Sequence, residues 1–273
     1  MATLSLLKSV FTSGDYYVSM NMALKAINGN YHMLHYPFHV KDTSSFAEAQ
    51  ENLINYCMER VPEVKDKNVL DVGCGNGLVA MYLAEKYELK SMIGIDLNEN
   101  NIKIACDERQ RRKIEIANFL HDNAQKLENI KEGSVDLIIN IESAFHYPNK
   151  DQFLKAIHRV LKPGDHFLIA DILTTRKRKR LLSKWKKKMN YHHWSYDDYI
   201  EGFGNAGLKL ITEDDISEHI IRGYRDCMHF MKDVAPDSRI NRIILKIFFQ
   251  INIALNSYLL RNKRRYYVFC GTK

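Results

Sequence analysis

The chain has 273 residues and 45% of them are hydrophobic, which is ample for a buried core and suits one α/β domain with additions. Its five cysteines are an odd number at no metal-ligand spacing. They read as free thiols of a reducing, cytoplasmic compartment, not as a disulfide framework. The net charge of +7 is concentrated: Arg176 to Lys188 holds nine Lys or Arg and no acid, and Arg261 to Arg265 holds four more, so the remainder is acidic. Such patches either attract an anionic surface or substrate or form a solvated lysine-rich face.

Met1 to Phe11 is a short apolar run with one lysine and no cleavage-like site, so no signal peptide is expected. Nor does any stretch reach the roughly 18 uninterrupted apolar residues of a membrane span. Ile243 to Leu260 comes nearest and is interrupted by Lys246, Gln250, Asn252 and Asn256. Residues 1–62 read as a helical cap rich in aromatics: Tyr16, Tyr17, Tyr31, His32, His35, Tyr36, Phe38 and His39 either line a pocket or pack the cap down. Ser44 or Ser45 is placed to cap a helix from Phe46 towards Arg60.

From Lys67 onward strands alternate with helices. Val69, Leu70 and Val72 form a short buried strand. Gly73, Gly75 and Gly77 then make a turn, and Leu78 over Tyr82 with Val79 over Leu83 begins a helix. Later strands are expected at Ser91 to Leu97, Glu115 to Leu120, Ser134 to Ile139 and His166 to Ala170, with helices from Asn98 to Asp107 and around Phe153 to Leu161. Lys162-Pro163-Gly164 should break the second of these helices. Polar residues stand at the ends of the later strands: Asp96, His121-Asp122, Asn140 and Asp171. In an open, doubly wound sheet that carboxyl edge is where ligands bind. After the basic run, Ser195 starts a helix that Gly207 stops, and Leu208 to Thr212 is a sixth strand. Ile240 to Leu259 keeps apolar helical spacing within a helical insertion, and Tyr266 to Thr272 closes the sheet. The expected plan is a single domain: cap 1–62, core 63–213, insertion 214–264 and closing strand 265–273.

The glycine turn separates two ligand classes. A dinucleotide turn wants G-x-G-x-x-G, whereas this chain has G-x-G-x-G. An acid at Asp71 sits badly beside a pyrophosphate and suits a ligand that carries positive charge and no phosphate. Glycine here permits positive φ and close backbone approach. Cys74, within the turn, reads as a small filler.

Together, Leu70-Asp71-Val72-Gly73-Cys74-Gly75-Asn76-Gly77, Gly94-Ile95-Asp96, Asp122-Asn123-Ala124 and Val160-Leu161-Lys162-Pro163-Gly164 resemble the motifs of class I S-adenosylmethionine-dependent methyltransferases. Glu142-Ser143-Ala144-Phe145-His146-Tyr147-Pro148 resembles the small-molecule subgroup, which includes enzymes acting on sterols, tocopherols, mycobacterial phenolic lipids and natural-product sugars. The resemblance covers residues 68–172. It implies a Rossmann-like α/β fold, a doubly wound, seven-stranded, mostly parallel sheet with an antiparallel last strand. It implies S-adenosyl-L-methionine as cofactor and no metal. Asp71 with Gly73, Cys74, Gly75 and Gly77 would hold the methionine end. Asp96 would accept from the ribose hydroxyls or cap a helix, with Leu97 beside it. Asp122, Asn123 and Ala124 would meet the adenine, and Asn140 and Ile141 would close over the methionine end. Tyr17 joins this set from the cap, and Glu142 would hold the methionine end or the cap.

Methyl transfer requires alignment, and for a hydroxyl acceptor it requires removal of a proton. His146 and Asp171 follow strand ends on the ligand edge and are expected to form a base pair, as the histidine and aspartate of sugar O-methyltransferases imply. This chain has Phe145-His146 where those enzymes often show two histidines. The expected reaction is O-methylation of a small, apolar or natural-product-like molecule. One alternative is C-methylation of an isoprenoid or ring carbon. Another is RNA methylation using the basic run 176–188, against which the segment after strand four lacks the Asn/Asp-Pro-Pro-Tyr pattern of amino-group methylation. That run, with Leu181, Leu182, Trp185 and Met189 on one helical face, also suits peripheral contact with an anionic membrane.

Overall fold

The computed structural model describes residues 29–175, 191–230 and 239–273, together with Asn21 and Lys25. The alternating pattern builds one sheet from β1 (Asn68–Val72), β2 (Ser91–Asp96), β3 (Ala117–His121), β4 (Val135–Ile141), β5 (Leu161–Thr174), β6 (Lys209–Asp215) and β7 (Arg264–Thr272). The helices are α1 (Phe46–Met58), α2 (Leu78–Lys86), α3 (Glu99–Arg112), α4 (Lys150–Val160), α5 (Tyr196–Ala206), α6 (Ser217–Phe230) and α7 (Arg239–Asn262). The strand order is β3-β2-β1-β4-β5-β7-β6. Neighbours from β3 to β5 pair in parallel, and β7 runs antiparallel to both β5 and β6. The order reverses between β1 and β4, so a crevice opens at their carboxyl ends.

Burial explains the apolar runs. Every residue of β4 is buried, as expected of a central strand covered on both faces. Its one acid, Asp136, accepts from the Asn68 amide at 2.8 Å and pairs with Lys162 of the Lys-Pro-Gly turn. The core gathers Leu70, Val72, Ile95, Ile138, Phe153, Ile157, Phe167, Tyr199 and Phe269.

Local signals held at several boundaries. Ser45, not Ser44, accepts from the Glu48 amide at 3.1 Å and caps α1. Ser195 caps α5 in a reciprocal box with Asp198, and Gly207 ends that helix at φ 75°. Helix α4 stops at Val160, before the Lys-Pro-Gly turn. Strand limits moved more. β3 begins at Ala117, two residues later than expected, and β5 extends on both sides of 166–170. Pairing sets the outer limit of β5: β7 lines it from His166 opposite Thr272 to Thr174 opposite Arg264.

The chain divides into two compact units, one of Asn55–Ser217 with Arg261–Lys273, the other of the described residues up to Ile54 with Glu218–Leu260. The first unit holds the sheet. In the second, Phe38 stacks on His219 at 4.7 Å and His39 pairs with Asp226 of α6. No described helix is long and apolar enough to cross a membrane. Tyr17 and the basic run 176–188 lie outside the described residues.

Candidate active site

The glycine turn follows β1. The amides of Gly73 and Cys74 both donate to Ile95 O, each at 2.8 Å, which ties the turn to β2. Gly73 has φ 78°, and a Cβ there would land on Ser143 Oγ and Tyr147 Oη. Gly77 has φ 76° and starts α2; a Cβ there would come 2.7 Å from both Ala105 Cβ and the Phe119 ring. The third glycine therefore serves helix-to-strand packing, and the first leaves room at the strand ends. Cys74 is a buried free thiol packed beside Gly94, as a filler would be.

Asp71 is buried, and its Oδ2 has no hydrogen-bond partner. Burial first, and then the charge of Asp96, push its pKa up to about 8. On the neighbouring strand Ile139 stands opposite Asp71, and the next residue, Asn140, is fully buried. The Asn140 amide nitrogen donates to Val72 O at 2.7 Å and to Ser143 Oγ at 2.6 Å, while its Oδ1 has no partner. Buried acceptors are normally satisfied, and two left open at adjacent strand ends call for a donor. An ammonium group meets that demand. Ser143 and Tyr147, whose Oη lies 2.8 Å from Ser143 Oγ, complete this wall. Burial raises the Tyr147 pKa, so it stays a neutral phenol.

Asp96 ends β2. Its Oδ2 accepts from the Gly75 amide at 2.9 Å and its Oδ1 from the Asn98 amide at 2.8 Å. The cap of α3 is Asn98, which accepts from Asn100 and Asn101. Asp96 thus fixes the glycine turn and does not cap the helix. Beside it Leu97 is 66% exposed, an apolar surface on the ligand edge. Asp122 is buried and accepts from the Asn123 amide at 2.6 Å and the Asn129 amide at 2.9 Å. Asn123 in turn accepts from Gln125, and Ala124 is buried in the core. Ile141 is buried at the end of β4. The residues expected to hold a cofactor along β1, β2, β3 and β4 thus share one carboxyl edge.

The expected His146–Asp171 pair does not form. Asp171 is fully buried; its Oδ1 accepts from the Phe145 amide at 3.2 Å and its Oδ2 from the Tyr199 hydroxyl at 2.5 Å. Burial raises its pKa to about 6, opposed by the charge of Lys150 and by these hydrogen bonds. His146 is half-buried on a 3₁₀ turn, Ala144–His146, which opens just after β4. The residue before it is held from both sides, since the His192 amide donates to Phe145 O at 2.6 Å. The Phe145 ring lies 4.3 Å from His146, and the Tyr191 ring 5.4 Å from it. His193 donates through Nδ1 to Ile172 O at 2.6 Å. Lys150 is fully buried, donates to His192 O and faces the Trp194 ring at 5.6 Å. Asp171 therefore acts on the backbone next to His146, not on its imidazole. Glu142 takes a left-handed φ of 51° between β4 and this turn, an uncommon conformation for a non-glycine residue.

A family model described as a methyltransferase domain matches residues 63–224. The chain belongs to that family. As a methyltransferase of this family it uses S-adenosylmethionine as methyl donor, and the open acceptors at Asp71 and Asn140 fit that molecule's ammonium end. It is 28% identical over 214 residues to a fatty-acid O-methyltransferase of Mycolicibacterium smegmatis, covering 77% of this chain and 69% of the relative. A phthiotriol/phenolphthiotriol dimycocerosates methyltransferase of Mycobacterium leprae is 31% identical over 157 residues, covering 58% of this chain and 50% of the relative. Among solved structures, phosphoethanolamine N-methyltransferase 2 of Haemonchus contortus, in complex with phosphomonomethylethanolamine and S-adenosylhomocysteine, superposes with a TM-score of 0.76. The two chains are 18% identical, over 97% of this chain and 59% of that one. That likeness is one of fold.

The acids at the strand ends of the methyltransferase are legible in its sequence, whereas the places of Ser143, Tyr147, Lys150, Tyr191 and Tyr199 around the site emerge only in the fold. Ser143 and Tyr147 lie inside the quoted Glu142–Pro148 motif, which was the available signal. Lys150 and Tyr199 carry none, because their roles follow from tertiary burial.

Proposed function

We propose that this methyltransferase transfers a methyl group to a hydroxyl oxygen of a small, apolar, lipid-like acceptor, with His146 as general base. Asp71, Asn140, Asp96 and Asp122 would hold the donor, which supplies an electrophilic methyl on a sulfonium. The single observation that carries the reading is the His146 turn: a half-buried imidazole at the carboxyl edge, on backbone clamped by Asp171 and His192. Asp171 is then a positioning residue, with Tyr199 and Lys150 behind it. The lipid relatives support the acceptor class. A general base contributes roughly 100-fold or more. His146→Ala is therefore expected to lower turnover of a hydroxyl acceptor about 100-fold, with S-adenosylhomocysteine affinity kept. Turnover within a few-fold of wild type would remove His146 from the role and favour carbon transfer.

The described cysteines Cys57, Cys74, Cys106 and Cys270 are free thiols, which supports work in a reducing compartment. Ile247, Ile251, Leu255 and Tyr258 of α7 are all about half exposed or more and recur on one helical face, which supports peripheral contact with a lipid surface. Replacing Ile251 and Leu255 by Asp should reduce co-sedimentation with anionic vesicles; equal sedimentation of variant and wild type would refute the contact.

A further inference from the structure

Two adjacent arginines at the start of β7 are treated very differently by the fold. Successive strand residues face opposite sides of a sheet. Arg265 pairs with Asp215 at 3.5 Å and donates to Arg261 O at 2.9 Å. Arg264 is half-buried, and its guanidinium lies over the Tyr191 ring, 5.7 Å from the centroid. Among the described residues no carboxylate pairs with Arg264. Glu142 acts on the same Tyr191 ring, but its carboxylate also faces Tyr266, whose pKa is raised by burial first and by Glu142 next. Register puts Arg264 opposite Thr174, the last residue of β5, so it stands on the carboxyl edge of the sheet. Tyr191 in turn lies against His146 at 5.4 Å and Phe145 at 5.6 Å. An arginine with no carboxylate partner among the described residues is thus built onto the ring cluster that carries the candidate base.

We propose that Arg264 recognises a carboxylate on the methyl acceptor. The inference rests on the methyltransferase reading above and names the acceptor's second polar class. Arginine is the side chain best matched to a carboxylate, which it can hold through two parallel hydrogen bonds. The Tyr191 ring lies within cation–π reach of the guanidinium, 5.7 Å from centroid to its carbon. The chemistry at such an acceptor balances without a base. A carboxylate oxygen bonds to the methyl carbon, the carbon–sulfur bond breaks with its electron pair kept by sulfur, and a neutral ester results. No proton leaves the acceptor, so His146 is required for hydroxyl acceptors and not for acids.

The test uses the full chain loaded with S-adenosylhomocysteine, with octanoate and octan-1-ol as matched probes followed by calorimetry. Wild type should bind octanoate more tightly than octan-1-ol. Arg264→Gln should weaken octanoate binding by about tenfold or more, the scale of a lost charge-assisted hydrogen bond, and leave octan-1-ol within about threefold. Arg264→Lys should keep part of the preference, and both variants should bind S-adenosylhomocysteine as wild type does. Octanoate binding that is no tighter than that of octan-1-ol, or indifferent to Arg264→Gln, would overturn the assignment and leave the methyltransferase reading standing. So would loss of S-adenosylhomocysteine binding in both variants, which would make Arg264 structural. Wild type that does not bind S-adenosylhomocysteine at all would refute the underlying reading as well.

Discussion

Asp71 and Asp171 are both buried acids on the carboxyl side of the sheet, and burial raises the pKa of each, to about 8 and about 6. Their surroundings differ. Asp71 has a carboxylate oxygen with no donor, on the strand next to an Asn140 oxygen in the same condition. Asp171 has the Phe145 amide on one oxygen and the Tyr199 hydroxyl on the other. The first environment leaves acceptor oxygens that a cationic ligand would satisfy. The second is complete without one and holds the neighbouring backbone in place. A buried acid at a strand end thus has an open oxygen in one case and is fully bonded in the other; we propose that the first is a ligand contact and the second a scaffold, and residue type alone does not tell them apart.

The largest effect should come from the group that the scaffold presents. The roughly 100-fold loss of turnover expected for His146→Ala separates chemistry from binding, because donor affinity should not change. Next is the link between the glycine turn and β2. Asp96→Ala removes a charged acceptor from the Gly75 and Asn98 amides. It should weaken S-adenosylmethionine binding by about 1.5–3 kcal/mol, the scale of hydrogen bonds to charged groups. An unchanged dissociation constant would confine Asp96 to a role in the turn that the donor does not feel.

The scaffold side is probed by Tyr199→Phe. Losing one buried hydrogen bond to Asp171 should cost about 1–3 kcal/mol of stability. As a positioning effect it should lower kcat by about tenfold, with the KM for donor unchanged. A KM change without a kcat change would place Tyr199 in binding instead.

The division between these two acids also marks what the sequence discloses. Strand ends, the glycine turn and the capping residues are local, so Asp71, Asp96, Ser195 and Gly207 could be placed by spacing and residue type. The partners of Asp171 are not local: Phe145 and Tyr199 are 26 and 28 residues away in the chain. The expectation of a His146–Asp171 pair failed because two residues at the same sheet edge need not face each other. Tyr199 filled the position first, from a helix whose cap was legible but whose packing was not. Lys150 shows the same limit, since nothing in Asn149-Lys150-Asp151 signals a fully buried cation. Strand β5 was expected to be short because its outer edge is fixed by β7, almost 100 residues later.

The smallest effect expected is one of pH. Asp71 has its folded pKa raised, to about 8 from an ordinary value of 3.8. In the donor-free protein its contribution to stability is therefore fully present below about pH 4 and is lost as pH rises through about 8. The ionised form is the one that receives an ammonium, so donor affinity should rise with pH over the same window. The most direct measurement is calorimetric titration of S-adenosylhomocysteine at pH 7 in two buffers of different ionisation enthalpy. Binding should release close to one proton from wild type, and about none from Asp71→Asn. A wild-type titration with no proton release, or an Asp71→Asn variant that releases as much, would contradict the claim that the open carboxyl at the end of β1 receives the donor's ammonium.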